Sequence, residues 1–527
     1  MTAIFRAWPA MALAVLILAP FLSSPFTIDD PIYLREAQHA LIDPLHPQAF
    51  SMVWSTDLNL RASQILPGGI AVPYLLIPAA LAGCAEWAAH LTQLVLLLIA
   101  IYGTALLSLR LGLDSASARW AALLTATCPA VLGMAGTVMP DVAAMAFTVL
   151  GMERIVACRG DRRSTQALAA SLWLALAALT RAHTILVLAP AFVLLLDGLE
   201  PDQIQSSFRN FPARFLPVIL TPLLFLLVSA VITDPESESA NILSSMLQTR
   251  AGSVGIFIRN LCAFLTHFLL VIPLTIPWLI LRGRHLSRPL LAIAAIFAVA
   301  FYSRVGPAAF AAGATLLVLG DILLDALERL DRLQLALWLW LLLALPVVVY
   351  IHLPSKYLLP CVPAAVILVI RLAAANRAPV RWLLPAVSAA GAVLGLLILL
   401  AARDLAETQR RAATDLIAPH AKIFERVWCS GHWGFQWYAE KAGAHPVTLE
   451  PPLPQPGDII VVSQIDLARF PRTWQSKQVL QHVTYPNAYG RVMDLQAGAG
   501  FFSSVWGFLP WVPGSGDANT FEVWRVN

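Results

Sequence analysis

Two carboxylates stand side by side in Thr27-Ile28-Asp29-Asp30-Pro31, at the end of a long apolar run, and a third follows proline at the end of another in Met139-Pro140-Asp141-Val142. Adjacent carboxylates repel, so one is driven toward protonation or a cation is drawn in. Such an arrangement suits a general base, or a ligand to a divalent cation such as Mg or Mn held by Asp29 and Asp141. Asp30 also has a structural reading, because Asp at an N-cap with Pro at the first helical position is a common helix start. Asp29 has no such reading, and Asp141 shares both, as a cap of the next helix or as a functional acid at membrane depth. Positive charge that could meet a phosphate is supplied by Arg61, Arg181, Arg304 and Lys356, the last being the sole lysine in the first 403 residues and standing in Ser355-Lys356-Tyr357-Leu358-Leu359-Pro360. A lysine there serves either as a snorkelling anchor or as a phosphate ligand, with Tyr357 beside it. His183, His267 and His352 read as packed or interfacial histidines, and Gly431-His432-Trp433-Gly434 as a tight strand-to-helix turn without chemistry.

The elements that position these groups follow from composition. With 58% hydrophobic and 13% charged residues, the chain departs far from a soluble globular protein, whose charged share is about 25%. A net charge of +4 gives no reason to expect nucleic acid, and the basic residues read as topology markers. The six cysteines are scattered without a CxxC pair, which fits neither a disulfide framework nor a zinc site. The uncharged run 7–28 reads as a signal anchor rather than a cleaved signal. Counting runs against the about 20 residues a helix needs to cross the hydrocarbon core predicts an all-α polytopic domain of about thirteen spans over residues 1–403. The run 65–83 carries Pro67, Pro73 and Pro78 and is expected to be a broken helix on the outer face, within an outer loop 29–86. Leaving it uncrossed puts the arginine clusters at 159–163, 282–288 and 371–381 in the cytoplasm with the N-terminus. Loops 41–64 and 234–255 are then the long outer excursions, the second read as a mobile flap. Residues 404–527, where charge and proline rise and apolar runs shorten to strand length, are expected to form a small extracytoplasmic α/β domain.

Five short motifs in order on this layout resemble the C-type glycosyltransferase superfamily, in particular the branch of protein O-mannosyltransferases and the lipid A aminoarabinose transferase. They are Thr27-Ile28-Asp29-Asp30-Pro31-Ile32-Tyr33, the broken outer helix, Met139-Pro140-Asp141-Val142-Ala143, Ala178-Leu179-Thr180-Arg181-Ala182-His183, and Lys356-Tyr357-Leu358-Leu359-Pro360. The chain departs from that pattern in carrying Arg181-Ala182-His183 where relatives have Lys-Gly, and in offering only Arg61 as a phosphate-binding cation of the first outer loop.

The resemblance implies inverting transfer of a sugar from a polyprenyl-phosphate donor to a glycolipid, glycan or protein acceptor at the outer face of a plasma (inner) membrane. Asp29, Asp30 and Asp141 would be the catalytic acids, and Arg61, Arg181, Arg304, Lys356 and Tyr357 the donor-phosphate group. Two other classes stay open at this stage, a transporter and a non-catalytic membrane scaffold. Convergence of the outer acids and cations in one place favours the enzyme, pairing at the midplane a transporter, and scatter a scaffold.

Overall fold

A computed structural model describes residues 2–54, 58–66, 68–158, 164–197, 216–229, 234, 254–376, 380–423, 426–448, 451–465, 477–515 and 519–527. The expected flap at 234–255 therefore lies almost wholly outside the described residues.

The chain is mostly helical, as a backbone must be where lipid offers no hydrogen-bond partner. Among the described residues seven helices are long and apolar enough to cross a membrane, or nine if each of two bent pairs is one span. The expected thirteen runs are not all resolved into such helices. Thr165–Thr180, Ala182–Leu196 and Leu216–Ser229 are apolar but shorter, and two expected spans are bent, by 54° before Pro129–Ala135 and by 65° between Val254–Leu270 and Thr275–Arg282. Prolines explain both bends: Pro129 opens its helix, and Pro273 falls in the break. The proline-rich run breaks too, into Ala71–Leu75 and Ile77–Leu81, with Pro78 near the start of the second.

The last span ends differently from its sequence reading. Rather than stopping near Ala402 and starting again, Val380–Ala412 is one helix of 33 residues, prolonged through a π turn at Ala413–Ile417. At 1.5 Å per residue it is about 50 Å long, more than the about 30 Å of hydrocarbon, so it is long enough to cross a membrane and extend beyond it. Glycines seat the Pro129–Ala135 helix against it. A Cβ on Gly391 would meet the Thr127 carbonyl at 2.5 Å, and one on Gly133 would meet Ile398 at 2.7 Å. Small residues of this kind let helices approach closely where no hydrophobic effect drives them together.

Nine short strands among the described residues complete the fold. β1 (Ser51–Trp54) and β2 (Leu58–Arg61) pair antiparallel in the outer loop. In the tail, β3 (Val427–Ser430), β4 (His445–Pro446), β5 (Ile459–Ser463), β6 (Lys477–Thr484) and β9 (Thr520–Val526) form one sheet of order β4-β3-β5-β9-β6. The β3 pairings are parallel and those of β9 antiparallel. β7 (Met493–Asp494) and β8 (Ala499–Gly500) form a separate ribbon. The Trp433–Lys441 helix follows β3 and packs Phe435 against Phe521 beneath the sheet. The tail does not stand apart from the helices: Trp437, Tyr438, Phe501 and Phe502 belong to the same apolar cluster as the spans.

Candidate active site

Thr27 to Asp29 join the first span to the Asp30–Ala40 helix, and Ile28 sits at φ 50°, a conformation costly for a β-branched residue. Such strain persists only where the surroundings hold it, and here it immediately precedes Asp29. The helix start differs from its sequence reading. Asp29 occupies the N-cap position but makes no capping bond, whereas Asp30, the first helical residue, is fully buried and ties two loops together. Its Oδ2 accepts the Thr27 N–H at 3.0 Å and its Oδ1 accepts the Val138 N–H at 2.8 Å. Burial pushes the Asp30 carboxyl up to about 7, against the two N–H donors that favour its charge, while Asp29 adds repulsion. Asp30, expected among the catalytic acids, also acts as a staple, each of its oxygens accepting one backbone N–H.

That staple brings the Asp141 loop to the Asp29 loop. Lys356, buried in the short 3-10 segment Ser355–Cys361, donates to Asp29 Oδ2 at 3.0 Å and lies 3.4 Å from Met139 Sδ. Arg181 grips Asp141 with two parallel bonds, Nε to Oδ1 at 3.0 Å and Nη2 to Oδ2 at 2.9 Å. Tyr357 joins the two pairs, its ring centre 4.9 Å from the Arg181 guanidinium and 6.0 Å from the Lys356 ammonium. Burial pushes the Asp29 carboxyl up, but the Lys356 charge and hydrogen bond, with Arg181 behind them, outweigh it and hold it below the usual carboxylate range. Asp29 is therefore ionised at neutral pH.

Two neighbours, one aromatic and one imidazole, were not among the expected site residues. Tyr33, one turn along from Asp30, is buried beside Gly69, where a Cβ would make ordinary contact with the ring at 3.5 Å but the φ of 74° favours glycine. His352 shares its Nδ1 with Ser503 Oγ at 2.8 Å, and Ser504 Oγ accepts the Leu353 N–H at 2.9 Å, so a tail loop underpins the Lys356 segment. Burial, then Lys356, holds His352 down to about 3, and it is neutral. His183 lies 5.7 Å from the Tyr357 ring and within 3.2 Å of its carbonyl. His267 is buried within its own span.

Arg61 and Arg304 do not join this group. Arg61 pairs with Asp234 at 2.6 and 2.7 Å, closing the outer hairpin against it. Arg304 is exposed at the end of its helix and lines, with Arg259, a separate groove of about 690 Å³ whose wall includes residues 504–509. A divalent ion held by Asp29 and Asp141 does not fit either. Each acid is paired with its own cation, both Asp141 oxygens are taken by Arg181, and among the described residues no three His, Cys, Asp or Glu side chains converge.

No family model and no curated protein matches this sequence. Several solved structures are similar to it, each at under 20% identity. ArnT from Cupriavidus metallidurans, bound to undecaprenyl phosphate, is similar at 18% identity and a TM-score of 0.46, over 91% of this chain and 96% of that one. The Archaeoglobus fulgidus oligosaccharyltransferase tethered with an acceptor peptide is similar at 12% and 0.46, over 84% of this chain and 64% of that longer one. The arabinofuranosyltransferase AftD from Mycobacteria is similar at 14% and 0.41, over 99% of this chain and 41% of that one.

Proposed function

We propose that this multi-pass membrane protein is an inverting glycosyltransferase that moves a sugar from a polyprenyl-phosphate donor onto an acceptor hydroxyl at the outer face of the membrane. The observation that carries the reading is the convergence of two acids and two cations, Asp29 with Lys356 and Asp141 with Arg181, around one tyrosine ring. A transporter site at the midplane or a scaffold with scattered charge gives no reason for that convergence.

In this reading Asp29 accepts the acceptor's proton as its oxygen forms a bond to the anomeric carbon, and the bond to the phosphate oxygen breaks with its electron pair leaving on phosphate. Lys356 and Arg181 stabilise that developing charge, each keeping N–H donors beyond those given to its acid. Donor binding also tunes the base. A phosphate that draws Lys356 toward itself relieves the depression of the Asp29 carboxyl, making it a stronger proton acceptor when the donor is present. Asp141 is a positioning residue, fixing the Arg181 fork.

The topology is proposed alongside: N-terminus cytoplasmic, residues 1–403 in and on the membrane, residues 404–527 as an extracytoplasmic unit. Mass analysis of envelope lipids and glycans in a strain lacking the gene tests the reading. Loss of one sugar from one class supports it, and an unchanged envelope overturns it. Cysteine placed at Gly431 should react with an impermeant thiol reagent from outside, and cytoplasmic reactivity refutes the topology.

A further inference from the structure

The turn from β3 into the Trp433–Lys441 helix carries no chemistry in the sequence, yet it is clamped onto the Asp29 loop. A Cβ on Gly434 would sit 2.2 Å from the Phe26 carbonyl oxygen, so only glycine allows this contact. From the same helix the Tyr438 hydroxyl accepts the Phe26 N–H at 2.8 Å and donates to Glu86 at 2.7 Å, and Arg410 holds Glu86 at 3.3 Å. Phe26 lies three residues before Asp29. Gln436 donates to the Val53 carbonyl at 3.0 Å and so brings β1 to the same turn.

These dockings set His432 between two indoles. Its ring centre lies 4.7 Å from that of Trp54, at 67°, and 4.5 Å from that of Trp433, at 54°. Trp433 is held at φ 61° and Gly431 at φ 147°, a backbone that a bulky aromatic residue adopts only when its neighbours impose it. His432 is 9% exposed, while Trp54 and Trp433 are half-buried. Burial lowers the imidazole to about 4, opposed by the nearby charge of Asp29, which leaves a neutral ring with one donor and one acceptor nitrogen. Indole faces and a neutral imidazole are the groups that recognise a sugar ring, apolar on its C–H face and hydroxylated at its rim.

We propose that Trp54, His432 and Trp433 form a subsite for a sugar ring beside Asp29, completed only when the tail docks on the outer loop. The assignment rests on the transferase reading insofar as a ring held there would present a hydroxyl to Asp29. Ring recognition itself is testable without turnover.

The test uses the full chain in lipid nanodiscs, photolabelled with p-azidophenyl glycosides of glucose, galactose, mannose, N-acetylglucosamine and arabinose, with the labelled peptide mapped by mass spectrometry. At least one glycoside should label residues 51–54 or 431–437 and be displaced by its methyl glycoside. Trp54→Ala and His432→Ala should each lower that label about tenfold, with Trp54→Phe and His432→Gln recovering much of it as evidence of an intact fold. No labelling at this turn by any glycoside, or labelling unchanged in both alanine variants, overturns the proposal. Kinetics then separate the source of the ring. A rise in KM for the acceptor alone in Trp54→Ala marks an acceptor ring, a rise for the donor alone marks the donor's sugar, and no change in either counts against the subsite. If labelling persists while gene loss leaves the envelope unchanged, the subsite stands and the transferase reading falls.

Discussion

Two buried acid clusters in this chain use the same chemistry to opposite ends. Asp321 accepts Trp278 Nε1 at 2.8 Å and the Arg282 fork at 2.8 and 3.2 Å, and Arg282 reaches on to Asp325 at 3.2 Å. Every oxygen there is matched, the backbone is regular helix, and nothing is left to react. Asp29, by contrast, follows a strained Ile28, and among the described residues its side chain has one hydrogen-bond partner, through one oxygen. The difference teaches where to look in such a membrane protein: not at charge whose every oxygen is matched, but at a partly buried charge with one oxygen unmatched, next to backbone held out of its preferred state.

The comparison breaks most sharply at Asp29. Asp29→Asn keeps the shape but cannot take up the acceptor proton, and transfer per folded molecule should fall by about 100- to 10,000-fold. Asp321→Asn should leave transfer by the folded molecules near wild type while costing about 1 to 3 kcal/mol, because Arg282 loses one of its two acidic partners and keeps Asp325. Thermal unfolding in detergent, read beside turnover, separates the two. Equal loss of turnover in both variants ends the distinction.

Lys356 comes next. Removing its charge-assisted contact in Lys356→Met should cost about 1.5 to 3 kcal/mol, roughly ten- to more than a hundredfold in transfer efficiency. Lys356→Arg should retain much of the activity, since either cation pairs with phosphate. The same Met variant sharpens the electrostatics. Lys356 holds the Asp29 carboxyl down, so without it that group titrates higher, and the acid limb of the pH–rate profile should move to higher pH. A limb that stays in place or moves down would show that Asp29 is not the titrating base.

The smallest effect on chemistry belongs to Asp30. Asp30→Asn has one oxygen for two backbone donors, so stability should fall by about 1 to 3 kcal/mol with turnover per folded molecule largely kept. Turnover that falls as far as in Asp29→Asn would return Asp30 to the catalytic acids.

The sequence made the membrane helices and the paired motifs legible because their signals are local: apolar run length, proline in Pro73 and Pro78, acids at the ends of runs. Asp29, Asp141, Arg181, Lys356 and Tyr357 were readable as chemistry-bearing types at one end of their helices, and they do meet. What one-dimensional reading could not supply was the partner of each group. Arg61 looked like Lys356 until Asp234 took it, and Asp30 looked like Asp29 until the Val138 N–H, 108 residues away, took it. The π turn that fuses the last span to the tail, the φ of Ile28, and the docking of Gly434 on Phe26 are likewise products of packing between distant segments, and His432 was passed over for that reason.

The central claim, that Asp29 is the base of a sugar transfer from a polyprenyl phosphate, is tested most directly in membranes of the deletion strain carrying either the wild-type or the Asp29→Asn chain at equal abundance. The measured quantity is the envelope sugar lost on deletion, together with the polyprenyl-phosphate sugar that supplies it. The wild-type chain should restore the modification, and Asp29→Asn should leave it absent while the donor lipid accumulates. Full restoration by Asp29→Asn would contradict the account.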